Sequence, residues 1–409
     1  MTWFWSAPAA ARRALLGAWL GWLLDAFDVM LYSLLLSTLI AEFSLTKMMA
    51  GLLGSLTLAA SGVGGVAFGL LADRYGRRPA LIGSLLVYSC FTFACGLATS
   101  IGQLALFRTL LGLGMGGAWT SGAVLVSEMW PDAHRGKALG LMQSAWSIGY
   151  ALAAVAVALV LPRFGWRAVF FLGIIPAFVS IWVQRRVDES PVWLVSRGAS
   201  ATVSPLRAIF GPRFVRYTLL LLMLSVTTVF VYWGLNLWVP AYLSLPIRDG
   251  GIGLSTSMMS TVVVVIQIGT FLGYVSFGFF ADAIGRRRSF VMFILLAAVT
   301  TVAFGSVRDV TALMLLGPVM SFFGSGLFSG FGPVTAELYP TAIRATAQGF
   351  TFNMGRIGSA LAPFLVGSFA DTHGFGLAFA LLAIVLVLGA TTWIWLPETR
   401  QVVAANIPT

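Results

Sequence analysis

The sequence predicts an all-α integral membrane protein with twelve transmembrane helices in two six-helix, pseudo-symmetric halves. Three observations carry this reading. Of 409 residues, 59% are hydrophobic and only 10% charged, where a soluble domain carries about 25% charged residues. Apolar runs separated by polar interruptions give twelve spans, near 14–40, 50–72, 79–99, 101–127, 137–161, 166–186, 215–243, 256–281, 288–306, 310–333, 344–370 and 375–396; about 20 apolar residues suffice to cross a bilayer. Finally, the chain repeats itself at a fixed interval.

Span 1 follows Arg12 and Arg13, with no small-residue cleavage site, and reads as a helix rather than a signal peptide. It contains Asp25 and Asp28. At about 1.5 Å of rise per residue, Asp25 reaches roughly the bilayer midplane, where a charge costs at least about 2.5–3.5 kcal/mol and usually marks a site. Their i, i+3 spacing puts both on one helix face.

The net charge of +11 is explained by topology rather than by nucleic acid. With both termini cytoplasmic, the inner loops and tails hold eighteen of the 25 Lys and Arg residues, among them Arg12, Arg13, Arg185, Arg186 and Arg288. The outer side holds only Lys47, Arg163, Arg167, Arg248 and Arg308. That bias obeys the positive-inside rule and predicts a multi-pass protein of a bacterial inner membrane. The lipid bilayer is its one macroscopic partner, and a monomer is expected. Cys90 and Cys95 are five apart on one helix and cannot form a normal disulfide.

The repeat has a shift of 209 residues. Gly69-Leu70-Leu71-Ala72-Asp73-Arg74-Tyr75-Gly76-Arg77-Arg78 returns as Gly278-Phe279-Phe280-Ala281-Asp282-Ala283-Ile284-Gly285-Arg286-Arg287. Glu128-Met129-Trp130-Pro131 with Arg135 returns as Glu337-Leu338-Tyr339-Pro340 with Arg344, and Glu189 returns as Glu398. The halves are therefore 1–187 and 216–409, joined by a cytoplasmic linker over 188–215. Parallel repeats with a site between them at mid-depth are a transporter architecture. In the short cytoplasmic turns glycine permits tight reversal, Asp can cap a helix and arginine can pair with carboxylates. These residues are expected to form a latch that holds the halves together in one state and parts in the other.

These loops, the Arg108-x-x-x-Gly112-x-Gly114 run, Asp188-Glu189-Ser190-Pro191 and Pro397-Glu398-Thr399 together resemble the major facilitator superfamily over nearly the whole chain. Asp25-Ala26-Phe27-Asp28 resembles the D-G-F-D motif of aromatic-acid, sialate and monocarboxylate proton symporters, with Ala26 where many members carry Gly. The 188–191 and 397–399 stretches also resemble the sugar-porter pattern. The resemblance implies the major facilitator fold and transport by alternating access.

Charges that do not repeat are the candidates for cargo chemistry. The 209 shift pairs Asp25 with Gly234, Asp28 with Leu237, Arg108 with Gly317 and Arg356 with Ser147. Two acids and two arginines sum to zero, the cheapest way to keep four charges in a low dielectric. In a facilitator-type bundle Asp25 or Asp28 is expected to pair with Arg108, leaving Arg356 free for a substrate carboxylate that its planar fork can grip bidentately. A structural bond from Arg356 to Asn353 is the competing reading. Tyr32, Asn236, Gln267 and Asn353 are further candidate contacts, followed by Trp119, Gln143, Tyr150 and Trp233.

The expected function is proton-coupled symport of a small organic anion such as lactate, an aromatic acid or sialic acid. Asp25 or Asp28 would carry the proton, with Asp28 slightly favoured as nearer the outer face. Uptake of a sugar or other neutral solute, export of a cationic drug, and a non-transporting sensor are the alternatives. Neither His134 nor His373 is placed for a proton step across the membrane, and no metal-ligand spacing, phosphate loop or catalytic triad is present. No cofactor other than the coupling proton, no metal and no enzymatic activity are expected.

Overall fold

The computed structural model describes the backbone of residues 2–196 and 205–399, and its side chains except those of residues 2, 3, 132, 133, 135, 136, 196, 205, 341, 342, 344 and 345. After a short N-terminal turn, the helices are α1 (Ala9–Glu42), α2 (Lys47–Tyr75), α3 (Arg77–Gly96), α4 (Ile101–Met129), α5 (Asp132–Phe171) and α6 (Ile175–Arg186). The second half has α7 (Val215–Ser244), α8 (Thr256–Ile284), α9 (Arg286–Ser306), α10 (Val310–Leu338), α11 (Thr341–Ser359) and α12 (Ala362–Ala390).

Ten helical stretches among the described residues are long and apolar enough to cross a bilayer. Two of them, Lys137–Arg186 and Thr346–Ile394, run to 50 and 49 residues. A straight helix of that length would measure about 75 Å, more than twice the hydrocarbon thickness. Each is instead broken by a glycine in a left-handed conformation, Gly165 (φ 76°) and Gly374 (φ 80°), which L side chains rarely adopt. The ten stretches are thus twelve spans.

Gly165 and Gly374 are themselves 209 residues apart, and the register extends to the helix caps. At the face away from the arginine-rich loops, Thr46 Oγ1 accepts from Met49 N (3.1 Å) and Ser255 Oγ from Met258 N (3.3 Å). Ser100 Oγ accepts from Gln103 N (3.3 Å), and Asp309 Oδ1 from Ala312 N (2.9 Å). Each pair is separated by 209 positions, and each cap satisfies an amide that the first helical turn leaves unpaired. The two halves share their turn chemistry as well as their helices.

The halves meet along α1, α2 and α5 on one side and α7, α8, α11 and α12 on the other. One contact explains why. Pro240 inside α7 has no N–H, so the carbonyl of Asn236, four residues earlier, loses its helical donor. That carbonyl accepts instead from Ser33 Oγ (2.6 Å) and Tyr150 Oη (3.1 Å) of the first half. Nearer the arginine-poor face, Asp371 accepts from the amides of Lys47 (3.2 Å) and Met48 (2.8 Å) and lies 3.6 Å from Lys47 Nζ. An acid of the second half thereby caps the first turn of α2.

Candidate functional site

Four charged side chains are buried in the membrane-spanning core: Asp25 and Asp28 are 0% exposed, Arg108 2% and Arg356 3%. Both oxygens of each aspartate, Nε and Nη1 of Arg108 and Nη1 of Arg356 have no hydrogen-bond partner among the described residues. Buried polar groups are nearly always partnered, so this concentration of unpaired charge sets the region apart from the rest of the core.

The expected ion pair between an aspartate and Arg108 is not formed. Arg108 lies over the Tyr32 ring, its guanidinium carbon 3.7 Å from the centroid. The quadrupole of an aromatic face stabilises a cation at this range. Tyr32 in turn donates its hydroxyl to Ala50 O of α2 (2.7 Å). Tyr32 is thus occupied in holding Arg108 and α2. Arg356 sits between Trp22 and Phe352, at 5.7 and 5.6 Å from the two rings, and it is the cation within electrostatic range of Asp25. Asp28 faces α3, where Thr92 and Tyr88 are its neighbours.

The competing structural bond from Arg356 to Asn353 is absent too. Asn353 donates to Gly349 O (2.9 Å), and its Oδ1 has no partner. Asn236 spends its side-chain amide on Tyr232 O (2.9 Å). Gln267 lines a cavity inside the second half, between α7, α8, α9 and α10, together with Tyr232, Asn236, Thr301, Ser321 and Ser325, with Tyr150 of α5 at its edge. Gln143 and Trp119 approach one another at 3.4 Å.

Of the aromatic walls the sequence reading named Trp119 and Trp233 but passed over Trp22, Trp146, Tyr232 and Phe352. Trp22 stacks near Trp146 (4.6 Å) and Trp119 (6.5 Å), Trp119 on Phe352 (4.5 Å), and Trp146 faces Tyr232 (6.5 Å) and Trp233 (5.9 Å). A positional signal existed. Trp22 precedes Asp25 by three residues and Phe352 precedes Arg356 by four, so each shares a helix face with its charge.

At the arginine-rich face the residues expected to form a latch between the halves pair within each half in this structure. Arg77 Nη2 bonds Glu128 Oε1 (2.9 Å) and Nη1 bonds Asp73 Oδ1 (2.8 Å). Arg286 repeats this with Glu337 (2.9 Å) and Asp282 (2.6 Å). Glu189 Oε1 accepts from Arg77 N (3.0 Å) and Glu398 Oε1 from Arg286 N (2.9 Å), while Arg287 N donates to Glu398 Oε2 (3.1 Å). Among the described residues every one of these bonds stays inside its own half. The physical reason is geometric: each arginine begins a helix directly after the tight glycine turn, Gly76 (φ 111°) or Gly285 (φ 100°), so its side chain curls back onto the neighbouring helix ends. Burial would pull the guanidinium of Arg77 down, but Glu128 and Asp73 outweigh it and hold the group above its ordinary range; Glu337 and Asp282 do the same for Arg286. Arg74 lies instead over the Tyr75 ring (5.3 Å), and Arg78 donates to Gln184 O. The side chains of Arg135 and Arg344 lie outside the described residues.

Comparison with known proteins agrees with this architecture. A probable 4-methylmuconolactone transporter of Cupriavidus pinatubonensis is 32% identical, covering 99% of this chain and 95% of its own. A niacin transporter of Acinetobacter baylyi is 30% identical, covering 93% and 92%. The solved D-xylose-proton symporter superposes with a TM-score of 0.77 at 22% identity, covering 95% of this chain and 98% of its own. The profile of the Major Facilitator Superfamily matches residues 18–251 and 244–408. The chain belongs to that superfamily, as a multi-pass membrane transporter and not an enzyme.

Proposed function

We propose that this transporter carries a small planar organic acid together with a proton, by alternating access, with its arginine-rich face cytoplasmic. The single observation that carries the reading is Arg356: buried, without an ion-pair partner at hydrogen-bond distance among the described residues, and held between Trp22 and Phe352. A guanidinium accepts a carboxylate bidentately. Flanking rings favour a flat, conjugated body over a saturated one through stacking contacts. Niacin, which names one relative, is an acid of that shape.

Coupling follows from the neighbour relation between Asp25 and Arg356. In the empty carrier the two opposite charges stabilise one another. An arriving carboxylate takes over the arginine, Asp25 loses its counter-charge, and a proton on Asp25 restores neutrality. Anion and proton thus bind cooperatively, which is reciprocal coupling. This geometry moves the preference from Asp28 to Asp25 as carrier. Asp25 and Arg356 become neutral on loading, one by its proton and the other by the substrate carboxylate, while Asp28 and Arg108 are unchanged, so the core reorients with its total charge still zero.

A second reading, transport of a neutral solute, is favoured by the uncharged lining of the cavity around Gln267. Proteoliposomes separate the two. We expect labelled nicotinate or benzoate to accumulate when the outside is acidic, and accumulation to collapse when a protonophore is added. Uptake of xylose or glucose with no response to either acid would reverse the assignment.

A further inference from the structure

The cavity enclosed by α7, α8, α9 and α10 plays no part in gripping a carboxylate, yet it is built with polar groups. No Asp, Glu, Lys or Arg lines it; its walls are Val231, Val263, Ile266 and Met320. Three polar atoms of its lining residues are buried and have no hydrogen-bond partner among the described residues: Oη of Tyr232, Oε1 of Gln267, a residue 3% exposed, and Oγ1 of Thr301, a residue 0% exposed. A helical threonine normally bonds the carbonyl four residues earlier, as Thr270 does with Ile266 O (3.3 Å) and Thr300 with Leu296 O (2.6 Å). Thr301 does not. Leaving such atoms dry and unpaired is unfavourable unless something else satisfies them.

The cavity adjoins the charged centre through one residue. Tyr232 lines it, lies within electrostatic range of Arg356 and faces Trp146, which in turn faces Trp22 beside Arg356. Tyr232 is thus shared between the lining of the cavity and the aromatic cluster beside Arg356.

We infer that this cavity is a specificity pocket for a neutral, hydrogen-bond-donating substituent on the far end of the transported acid, such as a ring hydroxyl or amino group, received by Gln267 and Thr301. The inference rests on the proposed reading of Arg356 as the carboxylate site. A site built to hydrogen-bond a substrate group discriminates against the analogue that lacks it, because its own buried atoms are then left unpaired. A second carboxylate is excluded, since nothing in the lining compensates a charge.

The test uses the purified full-length protein in detergent and isothermal calorimetry with benzoate, the 3- and 4-hydroxybenzoates, the 3- and 4-fluorobenzoates and terephthalate. Fluorine approximates the size of hydroxyl but cannot donate. One hydroxybenzoate should bind about 3- to 10-fold more tightly than the fluorobenzoate of the same position, and terephthalate should bind more weakly than both. In Gln267→Met the hydroxyl-to-fluoro ratio should fall toward one; Thr301→Val serves the same purpose should the first variant be poorly folded by gel filtration. Equal affinities for hydroxy and fluoro acids at both positions, a ratio unmoved in both variants, or tight terephthalate binding would overturn the pocket assignment. The underlying reading fails separately: it falls if Arg356→Ala binds benzoate as the parent does, whatever the hydroxyl ratio.

Discussion

Arginines at the membrane surface and in the membrane core behave oppositely in this molecule. Arg77 and Arg286 sit at the membrane surface with side chains 11% and 14% exposed, and each binds two carboxylates. Arg108 and Arg356 lie in the core, more deeply buried, and neither has an ion pair among the described residues. A charge in low dielectric needs a partner more than one at an interface does, so stability alone would assign the carboxylates the other way round. The first pair is duplicated at 209 residues and the second is not. Duplicated arginines pair with carboxylates inside each half, and the unduplicated ones have no ion pair among the described residues; the proposed function gives Arg356 its carboxylate from the cargo.

The largest effect that could break this contrast is at Arg356. Arg356→Ala should weaken carboxylate binding by about 100-fold or more, the scale of two charge-assisted hydrogen bonds, while gel filtration shows an intact fold. Arg356→Lys should recover only part of that loss, since the charge returns without the fork. Unchanged calorimetric affinity in Arg356→Ala would move the site elsewhere.

Next comes Asp25. Asp25→Asn should abolish accumulation driven by a pH gradient yet leave counterflow of labelled substrate running, because exchange moves no net proton. Retained gradient-driven accumulation in Asp25→Asn, together with its loss in Asp28→Asn, would return the proton to Asp28.

For the surface pair the readout is stability. Arg77→Ala strands Glu128 and should lower the melting temperature of the detergent-solubilised protein by roughly 2–8 °C, the counterpart of about 1–3 kcal/mol. Removing Glu128 as well should cost less than the two single changes together, and Arg286→Ala should mirror Arg77→Ala. Additive losses would mean that the bonds contribute independently and the pair is not a unit.

The smallest effect is expected at the clasp between halves. Asp371→Ala removes a partly exposed ion pair and a helix cap, about 1 kcal/mol together. Cysteine labelling near the arginine-poor ends of α1 and α7 should rise a few-fold. No change in labelling would make the contact incidental to closure.

Much of this architecture was legible in the residues. Span lengths follow from apolar runs, and the repeat could be found because the two copies keep one register through loops, turns and charges. Even the caps Thr46/Ser255 and Ser100/Asp309 obey it, though no polar pattern in the loops drew attention to them. The four core charges were visible as charges inside spans. Who faces whom was not, because helix rotation and crossing are set by packing between distant segments. Thus Arg108 turned to Tyr32 and Asp25 to Arg356, and the expected latch resolved into two separate knots. The pocket around Gln267 draws on six helices, α5, α7, α8, α9, α10 and α12, and no local spacing encodes such a convergence.

The carbonyl of Asn236, released by Pro240 and shared by Ser33 and Tyr150, bears on how the carrier moves. In the proposed alternating-access cycle, halves parting there let water take over from both hydroxyls. Trading a hydroxyl for a water molecule changes the free energy by only about 0.5–1.5 kcal/mol per bond. Such a joint fixes the angle at which the halves meet while adding little to the barrier for parting. In that proposed cycle it is a locating pin, returning the halves to the same seat each time they close.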